Sequence, residues 1–294
     1  MPMNAPVTPL SPKNVENAPL FDLFVVGGGI NGVGIANDAV GRGLSVAVVE
    51  QNDFASATSS ASSKLIHGGL RYLEHYEFRL VKEALAEREV LLAKAPHLIK
   101  PMRFILPHRP HLRPAWMIRI GLFLYDHLST RCKLPGSRGL HLDAQNPDNP
   151  LNDAIKFGFE YSDCWVDDAR LVVLNAIQAR EQGAMLLTRT RCQSAHRKNG
   201  LWHIAVENME TGQVQYFRAK ALVNAAGPWA QKFIEDGLKT KSPRNIRLIK
   251  GSHFVVPRLH NGDHAYILQN EDQRIVFVIP YNEYFSVVGT TDKE

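Results

Sequence analysis

Residues 23–50 contain an apolar run, a glycine cluster, a small-residue stretch and a second apolar run that ends at an acid. This order is typical of a β-α-β unit that binds the diphosphate of a dinucleotide. Gly27 allows a tight turn, Gly29 lets backbone N–H groups approach the phosphates, and Gly32 lets the helix pack close to the sheet. Glu50 stands where a carboxylate accepts a hydrogen bond from the adenosine ribose, and a glycine loop that only turned the chain would not require it. We therefore predict a dinucleotide site at the positive N-terminus of this helix.

The composition is that of an ordinary globular chain. Its 294 residues are 45% hydrophobic and 21% charged, which is enough for a core in one large domain or two closely packed ones. The three cysteines are far apart, so we expect a reducing compartment without disulfides. The net charge of +5 is modest, and we expect no nucleic-acid partner. Residues 1–20 are rich in proline and predict a disordered tail, and no stretch approaches the roughly 18 apolar residues of a spanning helix.

The choice between a nicotinamide and a flavin cofactor depends on residues 56–72. In a nicotinamide enzyme the second strand would lead directly into another β-α unit, whereas here it enters a stretch of serine, threonine and glycine. Such residues can form hydrogen bonds to a second part of the diphosphate. Their small size also lets backbone amides lie against a flat ring. The composition also occurs in linkers, but the part from Ser59 to Tyr72 has too many basic and aromatic residues for a simple linker. The candidate flavin-binding positions here are Thr58, Ser59, Ser60, Ser63, Lys64, His67, Gly68 and Gly69.

Periodicity outlines the remaining elements. Apolar residues at helical spacing predict helices over 77–95 and 168–182. Alternating residues predict strands between 185 and 223 and again beyond 254. The mixture predicts an α/β fold with a parallel nucleotide-binding layer and an antiparallel sheet on the substrate side.

Four stretches resemble a known family. Residues 57–73 are similar to the signature of the FAD-dependent glycerol-3-phosphate dehydrogenases, and residues 107–116, 158–168 and 249–253 resemble the bacterial aerobic branch. The similarity extends over residues 21–294. The resemblance implies a D-amino-acid-oxidase-like flavoprotein fold with FAD as cofactor. It also implies oxidation of sn-glycerol 3-phosphate to dihydroxyacetone phosphate, with electrons passing to a membrane quinone.

The resemblance also suggests a division of the chain. We expect an FAD-binding domain over 21–238, with its Rossmann-like layer, and the start of the substrate-side sheet over 239–294. A peripheral insertion is expected at about 105–135. Because the chain stops directly after a strand and its turn, we expect it to be the front part of a longer protein or an incomplete gene product.

Substrate chemistry requires a cation and a base. A guanidinium group suits phosphate oxygens, and the resemblance places Arg71 in this role with Tyr72 as a neighbouring donor. The alternative is a surface arginine paired with a carboxylate such as Glu74. Oxidation of an alcohol requires removal of the hydroxyl proton, for which a histidine is suitable. The resemblance favours His253 as this catalytic residue, with His67 as the competitor.

The stretch from Asn224 to Trp229 resembles a second flavin motif, in which a strand end returns beneath the glycine turn. Gly227 is its candidate cofactor-binding residue. The alternative is a plain strand-to-helix turn with Pro228 at the first helical position. Backbone contacts from Arg191 and Cys192 to adenine are a further expectation. Cys192 has no visible activating partner, which predicts a buried, unreactive thiol.

A basic, aromatic segment follows the first helix predicted from periodicity. His108 and His111 could indicate zinc, but prolines flank them and no third ligand lies nearby, so we expect no metal. Basic residues punctuate the apolar stretch 116–125, which predicts an amphipathic segment lying on a membrane surface through residues of about 105–135. The alternative is a core helix with a basic outer face. We expect a cytoplasmic protein attached peripherally to the inner face of the cytoplasmic membrane, and a homodimer is a further expectation.

Three rival functions stay open. The first is an oxygen-using glycerol-3-phosphate oxidase. The second is an FAD-binding fragment without turnover, because the family carries another flavin motif and more basic residues beyond residue 294. The third is a nicotinamide dehydrogenase, against which residues 56–72 argue.

Overall fold

The computed structural model describes residues 16–109, 111–130, 134–142, 149–272 and 274–293. Residues 1–15 of the expected tail lie outside this part. The tail expected over 1–20 ends earlier than predicted, because the carbonyl oxygens of Ala18 and Pro19 accept hydrogen bonds from Arg218. The first strand then begins at Leu20.

The described residues form strands and helices in alternation. The strands are β1 (Leu20–Val26), β2 (Val46–Val49), β3 (Leu65–Ile66), β4 (Ile99–Pro107), β5 (Arg138–His141), β6 (Phe157–Val166), β7 (Met185–Leu187), β8 (Thr190–Lys198), β9 (Leu201–Asn208), β10 (Val214–Asn224), β11 (Lys250–Pro257), β12 (Ala265–Gln269), β13 (Ile275–Tyr281) and β14 (Phe285–Lys293). The helices are α1 (Ile30–Gly41), α2 (Phe78–Lys94), α3 (Ala115–His127), α4 (Asp168–Glu181) and α5 (Ala230–Asp236).

The first compact unit contains residues up to 62 together with residues 168–247. Its sheet has the strand order β7-β2-β1-β10-β9-β8. The strands β7, β2, β1 and β10 are parallel, and β9 and β8 continue the sheet in antiparallel fashion. Strand β1 is buried on both faces, as is usual for a parallel strand. Phe24 and Val26 pack on one side of the sheet, and Val25 packs with α1 and α4 on the other.

The second compact unit contains residues 63–167 and 248–294. Its sheet has the order β11-β14-β13-β12-β4-β6-β3, and β5 also pairs with β6. Strands β12 and β4 are parallel, whereas the other paired strands are antiparallel. Val81 and Leu85 of α2 and Leu122 and Tyr125 of α3 form the core with this sheet.

The predicted α/β class, with a parallel layer and an antiparallel sheet, is confirmed, and α2 and α4 begin and end within two residues of the helices predicted from periodicity.

The compact units divide the chain differently from the expected domains 21–238 and 239–294. Residues 63–167 belong with the C-terminal strands, because β4 pairs with β12. The segment expected as a peripheral insertion is therefore only partly peripheral, since β4 lies inside the sheet. Residues 110 and 131–133 of this segment lie outside the described part.

Candidate functional site

The glycine turn joins β1 to α1 in the first unit. Gly27 has φ of 114°, which suits glycine, and a Cβ there would overlap the carbonyl oxygen of Ala225. A Cβ on Gly32 would overlap the carbonyl oxygen of Gly27. Gly29 is the N-cap of α1 and places no side chain over the helix end. The turn therefore leaves a helix N-terminus open to an anion.

Two predicted side chains lie against this turn. Glu50 accepts the Gly28 N–H through Oε2 at 2.7 Å and the Asn52 N–H through Oε1 at 2.9 Å. These bonds hold the carboxylate in place, and its oxygens retain further lone pairs for a hydroxyl donor. Ser59 Oγ accepts the Ile30 N–H at 3.0 Å, at the start of α1. The structure thus brings Glu50 and Ser59 to the glycines that the sequence singled out.

The hydroxyl-rich stretch is tied to α4 by a contact that the sequence analysis missed. Residues Thr58–Ser60 form a 3₁₀ turn, in which Ser60 Oγ donates to the Ala57 carbonyl at 3.1 Å. Ser62 Oγ donates to Asp168 Oδ2 at 2.7 Å. Asp168 is buried at the start of α4, and its place at the first position of the predicted helix 168–182 was the available signal.

The second flavin motif contacts the glycine turn through Ala225. Ala225 donates its N–H to the Val26 carbonyl at 2.8 Å and packs against Gly27. Gly227 has φ of 53°, and a Cβ there would meet nothing within 4 Å. A glycine is favoured at position 227 by the positive φ and not by close packing. The contact of Gly227 with a cofactor stays a prediction.

The other predicted positions belong to the second unit. Ser63 Oγ lies 3.1 Å from Nε2 of His253 on β11. A Cβ on Gly289, which is opposite His253 in β14, would overlap the imidazole. The glycine therefore leaves room for the ring. Lys64 adopts a positive φ of 57°, and its Nζ lies 5.9 Å from the centre of the Tyr281 ring.

The turn at His67 leads into the candidate phosphate-binding residues. His67 Nδ1 accepts the Gly69 N–H at 3.1 Å, and Gly69 has φ of 71°. A 3₁₀ helix from Leu70 to His75 then carries Arg71 and Tyr72, whose side chains are exposed. Gly68 donates its N–H to Tyr125 Oη at 2.7 Å. This amide is therefore directed into the core rather than toward a ring, and Tyr125 was not predicted as a site residue.

The two cysteines in the described part of the chain, Cys164 and Cys192, are buried, as predicted for Cys192. Burial raises the pKa of Cys164 and of Cys192 to about 12, so both thiols stay protonated near neutral pH. Within the described residues, no group of three His, Cys, Asp or Glu side chains could hold a metal ion. His108 Nε2 lies 3.1 Å from the carbonyl oxygen of Arg113.

Helix α3 has an apolar outer face. Leu122 and Tyr125 are buried, whereas Trp116 is 63%, Ile120 51% and Phe123 54% exposed. The alternative of a core helix with a basic outer face agrees with the buried Leu122 and Tyr125 and with the exposed Arg119, but the outer face also carries these large apolar side chains. The exposed Arg119 donates to the Ser137 hydroxyl at 2.8 Å. In the described part of the chain no helix has the length and apolar character to cross a bilayer.

Comparison with known proteins decides the family. The model of the family described as FAD dependent oxidoreductase matches residues 22–294. The chain belongs to this family. The predicted family resemblance and flavoprotein fold are confirmed, and FAD is the cofactor by which the family is defined.

Several curated proteins are similar to this chain over most of its length. The chain is 68% identical over 288 residues to a glycerol-3-phosphate dehydrogenase of Pseudomonas aeruginosa, covering 97% of the chain and 56% of the relative. It is 66% identical to the aerobic glycerol-3-phosphate dehydrogenase of Escherichia coli, covering 93% and 54%. It is 58% identical to D-erythritol 1-phosphate dehydrogenase of Brucella abortus, covering 92% and 54%. The chain thus spans about half the length of these curated relatives.

Solved structures agree on the fold. A glycerol-3-phosphate dehydrogenase of Bacillus halodurans complexed with FAD matches with a TM-score of 0.69 and 29% identity, over 96% of this chain and 50% of that one. A glycine oxidase of Geobacillus kaustophilus matches with a TM-score of 0.64 and 19% identity, over 93% and 72%. The second likeness concerns the fold alone.

Proposed function

We propose that this chain carries out FAD-dependent oxidation of sn-glycerol 3-phosphate to dihydroxyacetone phosphate and passes the electrons to a membrane quinone. The observation that carries the proposal is the 68% identity over 288 residues to a glycerol-3-phosphate dehydrogenase. The geometry of the predicted site residues supports it. FAD, when bound, accepts the hydride that leaves the substrate carbon.

The first unit fits the diphosphate of FAD. Its glycine turn leaves no Cβ between the backbone and the helix N-terminus, which is where a diphosphate is stabilised. We propose that Gly27, Gly29 and Gly32 form this cradle and that Glu50 accepts from the ribose. Ser59 is the hydroxyl next to the helix start, so it is the first candidate among the hydroxyl residues.

The second unit supplies the substrate side of the proposal. Arg71 and Tyr72 are exposed on a short helix that directly follows two glycines. We propose that Arg71 binds the substrate phosphate with its planar guanidinium group and that Tyr72 donates a further hydrogen bond.

The choice of base rests on hydrogen bonding at the two histidines. His67 already uses Nδ1 to accept the Gly69 N–H, so its neutral form carries the proton on Nε2 and is a donor there. His253 Nε2 faces the Ser63 hydroxyl, which can either donate or accept. His253 can therefore gain a proton without breaking this contact, and we propose it as the base.

The exposed face of α3 supports attachment to a membrane. Its large apolar residues, Trp116, Ile120 and Phe123, recur at helical spacing on one side. Such a face can lie in the headgroup region without spanning the bilayer. A quinone acceptor resides in the membrane, which gives the enzyme a reason to bind there. We propose attachment to the inner face of the cytoplasmic membrane, and the homodimer stays a prediction.

An anaerobic titration tests the proposed reaction. The visible absorbance of the FAD-loaded protein is recorded before and after addition of sn-glycerol 3-phosphate, D-erythritol 1-phosphate or glycerol. We expect bleaching with sn-glycerol 3-phosphate at the lowest concentration, and none with glycerol because it lacks the phosphate. Bleaching at a lower concentration of D-erythritol 1-phosphate than of sn-glycerol 3-phosphate would change the assigned substrate. Bound flavin that no substrate bleaches would contradict the proposal and support a fragment without turnover.

The electron acceptor is tested after the substrate has reduced the flavin. We expect a water-soluble quinone analogue to restore the flavin absorbance faster than oxygen does. Rapid reoxidation by oxygen with release of peroxide would instead identify an oxidase.

A further inference from the structure

Three buried polar side chains of the second unit are linked by hydrogen bonds. Arg88 and Tyr125 are 2% exposed and Asp163 is 1% exposed. Arg88 Nη1 donates to Asp163 Oδ1 at 2.7 Å, and Tyr125 Oη donates to both carboxylate oxygens at 2.9 Å. An ion pair in such a place adds little net stability, since both charges lose their hydration. Its presence at the centre of the core therefore needs another explanation.

The chain of bonds ends at the backbone of Gly68. The N–H of Gly68 donates to Tyr125 Oη at 2.7 Å. A phenol has one proton to donate and lone pairs to accept with. Because that proton is donated in a hydrogen bond to Asp163, the lone pairs of Tyr125 are directed to the amide. Burial raises the pKa of Tyr125 well above its ordinary value, so the phenol keeps the proton that this arrangement needs.

The position of Gly68 influences the residues that follow it. Gly68 is buried, and a Cβ there would meet Leu85 and Tyr125. The next residue, Gly69, has φ of 71°, and its N–H is bonded to His67 Nδ1. The 3₁₀ helix with Arg71 begins immediately afterwards. The amide of Gly68 thus ties the backbone to the core three residues before the exposed Arg71.

We propose that Tyr125, oriented by the Asp163–Arg88 pair, is a positioning residue that sets the turn from His67 to Gly69 and, through it, the side chain of Arg71. The part of this proposal that concerns substrate rests on the proposed function. The part that concerns the turn does not. Arg88 offered a sequence signal, because it stands in the buried stripe of α2 between Leu85 and Leu92.

The test compares Tyr125→Phe with Tyr161→Phe in the FAD-loaded protein. Both changes remove one hydroxyl from a buried ring, and the two rings are neighbours with centroids 5.8 Å apart. Only the first change removes the acceptor of the Gly68 amide. Hydrogen–deuterium exchange of residues 65–75 is measured by mass spectrometry, and the KM and kcat for sn-glycerol 3-phosphate are measured in parallel.

We expect exchange at Gly68 to accelerate about tenfold in Tyr125→Phe, the effect of losing one ordinary hydrogen bond. We also expect its KM to rise by about tenfold with a smaller change in kcat, while Tyr161→Phe leaves exchange and KM as in the parent. Equal exchange in the two variants would overturn the positioning of the turn. Faster exchange with an unchanged KM would overturn the link to Arg71.

A second variant keeps the test decisive if Tyr125→Phe does not fold. Asp163→Asn preserves the side-chain size and removes the negative charge that accepts the hydrogen bond from Tyr125. We expect faster exchange at Gly68 in this variant, and unchanged exchange would overturn the proposal. If the parent chain itself shows no turnover, the proposed function fails, but the exchange result still decides whether Tyr125 positions the turn.

Discussion

Gly32 has no room for a side chain, although its neighbour in the same helix does. A Cβ on Gly32 would overlap the Gly27 carbonyl oxygen, whereas a Cβ on Gly34 would meet nothing within 4 Å. We expect Gly32→Ala to push the glycine turn away from α1, to cost about 1–3 kcal/mol of stability and to abolish FAD binding. Flavin absorbance per protein and the thermal unfolding midpoint measure both effects.

Gly34→Ala is the matched control for this change. It adds the same methyl group to the same helix, where alanine is favoured over glycine by up to about 1 kcal/mol. We expect full flavin content and an equal or higher unfolding midpoint. Full flavin content in Gly32→Ala would contradict the role of the glycine turn.

Arg71 is predicted to act on substrate and not on cofactor. Loss of a hydrogen bond to a charged group costs about 1.5–3 kcal/mol, so we expect Arg71→Ala to raise the KM for sn-glycerol 3-phosphate by about tenfold to a hundredfold. The absorbance of bound flavin should not change. Arg79→Ala is the control, because the Arg79 side chain is 91% exposed on α2 and pairs with Glu83. A KM that stayed at the parent value in Arg71→Ala would argue against a phosphate contact.

Helix α3 shows how one secondary-structure element can serve both core and surface. Its inner side packs through Leu122 and Tyr125, and its outer side exposes Trp116 and Phe123. We expect the double variant Trp116→Ser/Phe123→Ser to lower binding to lipid vesicles at least about tenfold, since burial of each ring contributes more than 1 kcal/mol. Co-sedimentation with vesicles measures the loss.

Two exposed residues of the first unit provide the control for α3. Val173 and Val214 are 40% and 37% exposed, and the variant Val173→Ser/Val214→Ser should bind vesicles as the parent does. Equal losses in the two double variants would indicate a general effect of apolar surface and would reject α3 as the membrane-binding element.

Local sequence was sufficient for some elements and misleading for others. The apolar period of α2 and α4 predicted both helices, because each buries one stripe of side chains. Strand β4 was not predicted. It contains Pro101 and ends at Pro107, which local rules count against a strand, and its pairing with β6 and β12 depends on residues far away in the chain.

The pH dependence of global unfolding should contain a contribution from one buried histidine. His260 is 6% exposed, and its ring centroid lies 4.7 Å from that of His264. Within the described residues neither ring nitrogen of His260 has a hydrogen-bond partner. Burial, together with the charges of His264 and Arg258, lowers the pKa of His260 to about 4.

The sign of this contribution follows from the two pKa values. In the unfolded chain a histidine protonates near about 6.5, so between that pH and about 4 the unfolded state binds more protons than the folded state. The free energy of unfolding should therefore fall as the pH falls through this window, by up to about 1.4 kcal/mol per pH unit. We expect His260→Phe to flatten this slope in urea unfolding and His97→Phe, at an exposed position, to leave it unchanged. Equal slopes in the two variants would reject the assignment to His260.

The amino-acid sequence by itself determined the family, its cofactor and the identity of the glycine turn. This was possible because a diphosphate is bound by consecutive backbone groups of one β-α-β unit, so the requirement is written in neighbouring residues. Only the tertiary structure decided that Ser63 meets His253, 190 positions away, and that Tyr125 holds the Gly68 amide. It also decided that residues 63–167 join the C-terminal strands. Contacts of this kind depend on strand pairing and core packing between distant segments, which leave no periodic mark in either segment.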